Sequence, residues 1–171
     1  MLEAGIKGRQ EVMVTDENSA AAVGSGLLPV FATPAMVALM EKTAWMSVAP
    51  YLNDGEGTVG TKLEIAHNAA TPVGMQVWCE SELVEVDGRR LVFKVEAFDA
   101  KGSIGGGTHE RFIIKNEKFL AKAQSKKENL RLRREHSRLK ALRVSYAGYF
   151  WLAVFLCNRK FLGIPYYTKR H

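Results

Sequence analysis

The stretch FATPAMVALMEKTAW, from Phe31 to Trp45, constrains the fold more than any other part of the chain. It is a helix-length run with apolar residues on most of its circumference, Met36, Val37, Leu39 and Met40 among them, and so fits a helix wrapped by other elements. Thr33 is placed to cap its start, Pro34 suits the first helical position, and Pro50 ends it near Ala49. One residue breaks the pattern. Glu41 puts a carboxylate in the middle of the run, and a charge on an apolar face is seldom buried unless paired.

The wrapping follows in sequence. Strand-like runs at 58–67, 74–86, 89–98 and 107–115 are separated by AATPVG, DGR and DAKGSIGG, each punctuated by Gly or Pro. A weaker run, about 7–15, precedes the helix, and an Ala-, Gly- and Ser-rich loop is expected over 18–26. VDGRR signals a hairpin, because Asp-Gly accepts the positive φ angles of a tight turn. One strand, one long helix and four more strands predict an α+β domain, a single antiparallel sheet with the helix packed on it. A lone five-stranded sheet has an open edge, and edge-to-edge pairing in a dimer covers it.

Charge divides the chain in two. The net charge is +6, but residues 1–120 hold 11 Lys and Arg against 16 Asp and Glu, while residues 121–171 hold 13 against 2. An acidic body therefore carries a basic tail, and nothing in the body points to nucleic acid. With 171 residues and 47% hydrophobic content, the chain suits one globular domain and an appendage. In the tail, SKKENLRLRREHSRLKALR fits a basic amphipathic helix through Leu130, Leu132, Leu139 and Leu142. The apolar run after it, 145–157, is 13 residues long, short of the roughly 20 that a membrane span needs. Cys79 and Cys157 give neither a disulfide framework nor metal-ligand spacing, which favours a reducing compartment. MLEAGIKGRQ lacks a signal-like apolar core, so the expected location is cytoplasmic.

Three residues could do chemistry. Glu41 shares a helix face with Val37 and Ala44, and Trp45 lies one turn on; it is either a surface carboxylate helped by Lys42 or a paired, working one. His67 ends the run Val59, Thr61, Leu63, Ile65, His67, whose alternation puts it on the apolar face. It is either a core-edge histidine satisfied by backbone or a proton carrier facing a pocket. Thr33 is explained by capping, although its hydroxyl also stands beside the first helix N–H groups, where a carbonyl oxygen could be held. Thr33 and Glu41 are about 12 Å apart along one helix, so they share a site only across a pocket or between subunits. The run Gly105, Gly106, Gly107 lacks the Lys-Ser/Thr sequel of a phosphate loop and reads as a bulge or turn before the last strand. His109 and Arg111 alternate on one face of that strand, expected to be solvated or at an interface.

VFATPAMVALMEKTAWMSVAPYL, GEGTVGTKLEIAHNAATPVG, VDGRRL and GGGTHERFII together resemble the hotdog-fold thioesterases related to fluoroacetyl-CoA thioesterase, from about residue 5 to residue 127. The resemblance implies a hotdog fold over 1–127, with 128–171 an appendage of unknown role. It implies a sheet wrapped around a central helix, in a homodimer or higher oligomer with active sites at the interface. It implies hydrolysis of a small acyl-CoA to an acid and free CoA, without metal or prosthetic group. The catalytic threonine, glutamate and histidine fall on Thr33, Glu41 and His67, and the active-site glycine on Gly60, where a missing side chain admits backbone close to the acyl group. Glu41 either attacks the carbonyl or activates water. Where the fluoroacetyl-selective enzyme has aromatic lid residues, this chain has Gly24 and Leu27. The alternatives are a hotdog module that binds acyl-CoA without cleaving it, and a function in the tail, whose basic charge suits nucleic acid or an anionic membrane.

Overall fold

The structure, a computed structural model, describes residues 2–161, and their side chains through residue 138. Two units are distinguished, Met1–Phe119 and Leu120–His171. The first holds five antiparallel strands, β1 (Lys7–Met13), β2 (Glu56–His67), β3 (Gln76–Asp87), β4 (Arg90–Asp99) and β5 (Gly102–Lys115), in the spatial order β1-β3-β4-β5-β2. A short helix α1 (Ala20–Val23) and the long α2 (Thr33–Val48) lie between β1 and β2. This is the α+β arrangement expected, a long helix on an antiparallel sheet. The final helix α3 (Asn116–Phe161) runs without a break across both the basic and the apolar parts of the tail. The side chains of Leu139 and Leu142, which the amphipathic reading invoked, lie outside the described residues, as does the side chain of Cys157. Among the described residues no helix is long and apolar enough to cross a membrane.

The core is the seam between α2 and the sheet. Met36, Leu39, Met40, Ala44 and Val48 of the helix meet Val77, Cys79 and Leu83 of β3, Leu91, Phe93, Val95 and Ala97 of β4, and Ile104 of β5. Period-two alternation in the strands and 3.6-residue spacing in the helix put these side chains on facing surfaces. The sheet covers only one side of α2. Thr33, Pro34 and Ala38 are exposed, and Trp45 and Met46 keep 44% and 37% of their surface open, so within one chain the helix is not wrapped all round.

Four details correct the sequence reading. Residues 18–26 are not a plain loop: Ser19 accepts a hydrogen bond from the Ala22 amide at 3.3 Å to start α1, and Gly24 ends it at φ 74°. Thr33 is not the cap of α2, since Ala32 holds that position without a side-chain cap and Pro34 is the second helical residue. The β3–β4 hairpin closes through residues 88–89, with only Gly88 at positive φ, while Asp87 stays paired with Arg90. Finally, Gly105, Gly106 and Gly107 lie inside β5 and form no turn, while the expected bulge falls at their leading edge, where Ala97 pairs with Gly105, Phe98 with Ser103, and Ile104 is extra. A Cβ on Gly105 would run into the Ala66 carbonyl, one on Gly107 into the Glu64 carbonyl, and one on Gly106 would stand 2.8 Å from the Val95 oxygen. Neighbouring backbones approach so closely that no side chain fits.

Strand β2 forms one edge of the sheet and is irregular. Gly60 pairs with Arg111 and Lys62 with Glu110, so Thr61 is an extra residue in a β-bulge. The bulge reverses the alternation expected for this strand. Thr58 and Gly60 face the helix before it, as Leu63, Ile65 and His67 do after it, and Val59 and Thr61 leave the face that carries His67.

Candidate active site

The far end of β2 is tied to the start of α2 by backbone. The Phe31 amide donates to the Thr71 carbonyl at 2.8 Å, Val30 bridges to Pro72, and the amides of Asn68 and Ala69 both donate to the Ile104 carbonyl. Buried Thr71 holds the loop in turn, its hydroxyl donating to Asp99 Oδ2 at 2.7 Å while Asp99 Oδ1 accepts from the Lys101 amide. These ties bring Thr33 Oγ1 to 2.9 Å from His67 Nδ1. His67 Nε2 is buried and has no partner among the described residues, which leaves one ring nitrogen uncommitted beside a hydroxyl. Thirty-four positions apart in sequence, these two predicted residues do meet.

Glu41 and Gly60 also meet. A Cβ on Gly60 would strike Glu41 Oε1, so the half-buried carboxylate rests directly against this glycine. Two pairs result, Thr33 with His67 and Glu41 with Gly60, and the eight-position separation of Thr33 and Glu41 along α2 is about 12 Å. One chain therefore holds two separate pairs, each a helix residue against a β2 residue.

The sequence reading missed what lies under Glu41. His109 and Arg111 are not on a solvated face: they occupy helix-facing positions of β5 in line with Ile113 and are 0% and 5% exposed. Burial pushes the His109 imidazole below its ordinary 6.5, and the adjacent Arg111 charge adds to this against the opposing pull of the Lys62 carbonyl and Glu41. Burial likewise lowers Arg111, with Glu41 acting the other way, so the carboxylate and the guanidinium feel each other without a direct hydrogen bond or ion pair. The available signal was parity: His109, Arg111 and Ile113 share one face, and Ile113 is core.

A depression of about 400 Å³ over β1, β3 and β4 is lined by Lys7, Arg9, Glu80 and Glu82, which pair off as Lys7–Glu82 (3.8 Å) and Arg9–Glu80 (2.9 Å) on the exposed surface. Cys79 is buried, its thiol pushed up to about 11, and is inert. Among the described residues no three His, Cys, Asp or Glu side chains converge as metal ligands would.

The family model described as fluoroacetyl-CoA-specific thioesterase matches residues 14–117. A fluoroacetyl-CoA thioesterase of Streptantibioticus cattleyicolor is 50% identical over 97 residues, which cover 57% of this chain and 70% of that protein. A solved structure of the fluoroacetyl-CoA thioesterase FlK superposes with a TM-score of 0.70 at 39% identity, covering 74% of this chain and 98% of that one. A variant of that enzyme has been solved in complex with fluoroacetate and CoA. A Thermus thermophilus protein described as a thioesterase superfamily member superposes with a TM-score of 0.71 at 30% identity, covering 77% of this chain and 98% of that one.

Proposed function

This chain belongs to the fluoroacetyl-CoA-specific thioesterase family and hydrolyses a small acyl-CoA thioester, and from that premise we propose that Thr33, Glu41 and His67 carry the reaction at Gly60. The observation that carries the assignment is the Thr33–His67 hydrogen bond with His67 Nε2 left free. With the Thr33 hydroxyl donating to Nδ1, Nε2 bears the ring proton and can deliver it to the departing CoA thiolate. Glu41 supplies the attack, either as a nucleophile forming an acyl anhydride that water then opens, or as a base taking a proton from the attacking water. Both routes break the C–S bond, add one water and give a carboxylic acid and the CoA thiol.

The working site joins half-sites from two chains. Within one chain Thr33 and His67 stand about 12 Å along α2 from Glu41. Two-fold pairing of β2 edges about Leu63 and Glu64 sets His67 of one protomer across from Gly60 of its partner. The same axis near Val37 sets Thr33 beside the partner's Glu41. Both midpoints fall in unpartnered regions, since β2 is an edge strand, Leu63 keeps 38% of its surface open, and Trp45 and Met46 extend the apolar strip. Covering such an edge and strip is what a homodimer does.

The acyl pocket lacks an aromatic lid. Gly24 sits at φ 74°, where side chains are strained, and Leu27 is 95% exposed. Acetyl- and fluoroacetyl-CoA are therefore both substrates, with kcat/KM values separated by less than about 200-fold, the reach of one small pocket contact. The direct test is Glu41→Ala, assayed by free-thiol release with acetyl-CoA. Turnover is expected to fall about 10³-fold or more with the folded circular dichroism spectrum retained. Unimpaired hydrolysis would remove Glu41 from the mechanism.

A further inference from the structure

A polar pair in the last strand has no part in the reaction as described. His109 and Arg111 lie at core-facing positions, and burying both demands compensation. The hydrogen bonds provide it and also define the imidazole. His109 Nδ1 lies 3.0 Å from the Lys62 carbonyl, which only accepts, so Nδ1 carries the proton. Nε2 lies 3.0 Å from Arg111 Nη1, which only donates, so Nε2 presents its lone pair. Together these contacts select one neutral tautomer and leave no place for a second proton.

Arg111 is thereby held at three points. Nη1 donates to His109, Nε to Thr58 Oγ1 at 2.8 Å, and Nη2 to the Thr58 carbonyl at 2.8 Å. Thr58 reaches this face because the bulge at Thr61 reverses the strand's alternation. On the helix side Glu41 rests on Gly60, the residue that pairs with Arg111: a Cβ on Gly60 would strike Glu41 Oε1 and stand 3.1 Å from His109 Cε1, so carboxylate and imidazole flank one glycine. The charged groups facing the imidazole are Arg111 on its own strand and Glu41 on α2. From β2 comes only the Lys62 carbonyl, the Lys62 amine being turned to Glu64 at 2.8 Å, and from β4 the Phe93 ring.

We propose that His109 is a positioning residue of the thioesterase site: as a neutral acceptor it fixes the Arg111 guanidinium, so that a stationary positive charge faces the Glu41 carboxylate. This rests on the assignment of Glu41 to the reaction. The fixed charge holds the carboxylate aimed in a partly desolvated place, where a mobile cation would have to reorganise at each turnover. A second proton on His109 would set two cations side by side and turn the acceptor into a donor, releasing Arg111.

Two variants and one spectrum test this. His109→Gln keeps an amide oxygen able to accept where Nε2 does, whereas His109→Leu fills the space and accepts nothing. His109→Leu is expected to lower kcat about 100-fold while KM changes less than about threefold, and His109→Gln to recover kcat to within about tenfold of wild type. In the wild-type protein, imidazole nitrogen NMR should show the Nδ1–H tautomer of His109, mainly neutral at pH 6.5 where an ordinary imidazole is half protonated. Wild-type kcat in His109→Leu, equal losses in both variants, or an Nε2–H or mainly protonated ring at pH 6.5 would each overturn the proposal. Failure of the thioesterase assignment looks different: the wild-type protein would release no thiol from any acyl-CoA, and the positioning role would fall with it while the tautomer stayed as described.

Discussion

At Gly60 one missing methyl group gives the Glu41 carboxylate its resting place, and replacing it is the gentlest way to move that group. Gly60→Ala is expected to cut kcat about 100-fold, since a Cβ strikes Oε1, while the melting temperature moves little because the position is exposed. A variant with full activity would show that the carboxylate has room elsewhere. His109 gives a pH signature to stability. Its pKa is lowered in the folded state, so below the ordinary 6.5 the unfolded chain binds a proton that the folded chain refuses. Stability is full above about pH 7 and declines as pH falls, by up to about 1.4 kcal/mol per pH unit until the folded-state pKa is reached. Urea titrations at pH 7.5 and 5.5 check this, and His109→Gln should remove that part of the slope. Thr33, Glu41 and His67 were legible as polar residues set into apolar patterns, and the family resemblance ordered them. His109 and Arg111 were not, because alternation assigns residues to a common face without saying which face is inside. Polar side chains argue for the outside unless each has a partner, and the partners, Lys62 and Thr58, stand on another strand.

Among the elements, β2 does most of the positioning, and sequence described it least well. Its bulge places Gly60 and His67 on the helix-facing side although they are seven residues apart, an odd separation that simple alternation would split between faces. No residue in TVGTKLEIAH announces a bulge, so the break in parity appears only when β5 is laid beside it. The three glycines of β5 misled for a related reason: glycine reads as a turn in sequence, and here it admits a neighbouring backbone. Gly105→Ala would press on the Ala66 carbonyl and, 3.1 Å away, on the Cα of His67, so it should lower both stability and turnover. The loop after β2 offers a cleaner test. Thr71→Val removes the buried hydrogen bond to Asp99 while keeping the shape, and is expected to cost about 1–3 kcal/mol in urea unfolding. An unchanged midpoint would mean that the loop is held by its backbone bonds alone. Helix α2, by contrast, was read closely from its apolar run and Pro50, because a long periodic segment with a strong stop leaves little for tertiary contacts to alter.

For the whole molecule, the order of strands and helix was enough to reach the α+β sheet-on-helix arrangement, since few ways exist to cover one long apolar helix with antiparallel strands, although β2 pairs with β5 and not in a hairpin with β3, which follows it. The tail stands apart in charge, and the thioesterase reading assigns it no role in the reaction. Removing residues 128–171 is accordingly expected to leave kcat/KM for acetyl-CoA within about twofold, and a loss of more than about tenfold would bring the tail into the site. The central claim is that a thioesterase site is assembled from the Thr33–His67 pair of one chain and the Glu41–Gly60 pair of another. It is tested most directly by unfolding Thr33→Ala and Glu41→Ala proteins together, refolding them as an equal mixture and measuring thiol release from acetyl-CoA. Each variant alone is expected to be inactive. Half of the mixed dimers are hybrids, each hybrid has one intact site, and the mixture should regain about a quarter of wild-type activity. A mixture as inactive as its two components would contradict the account.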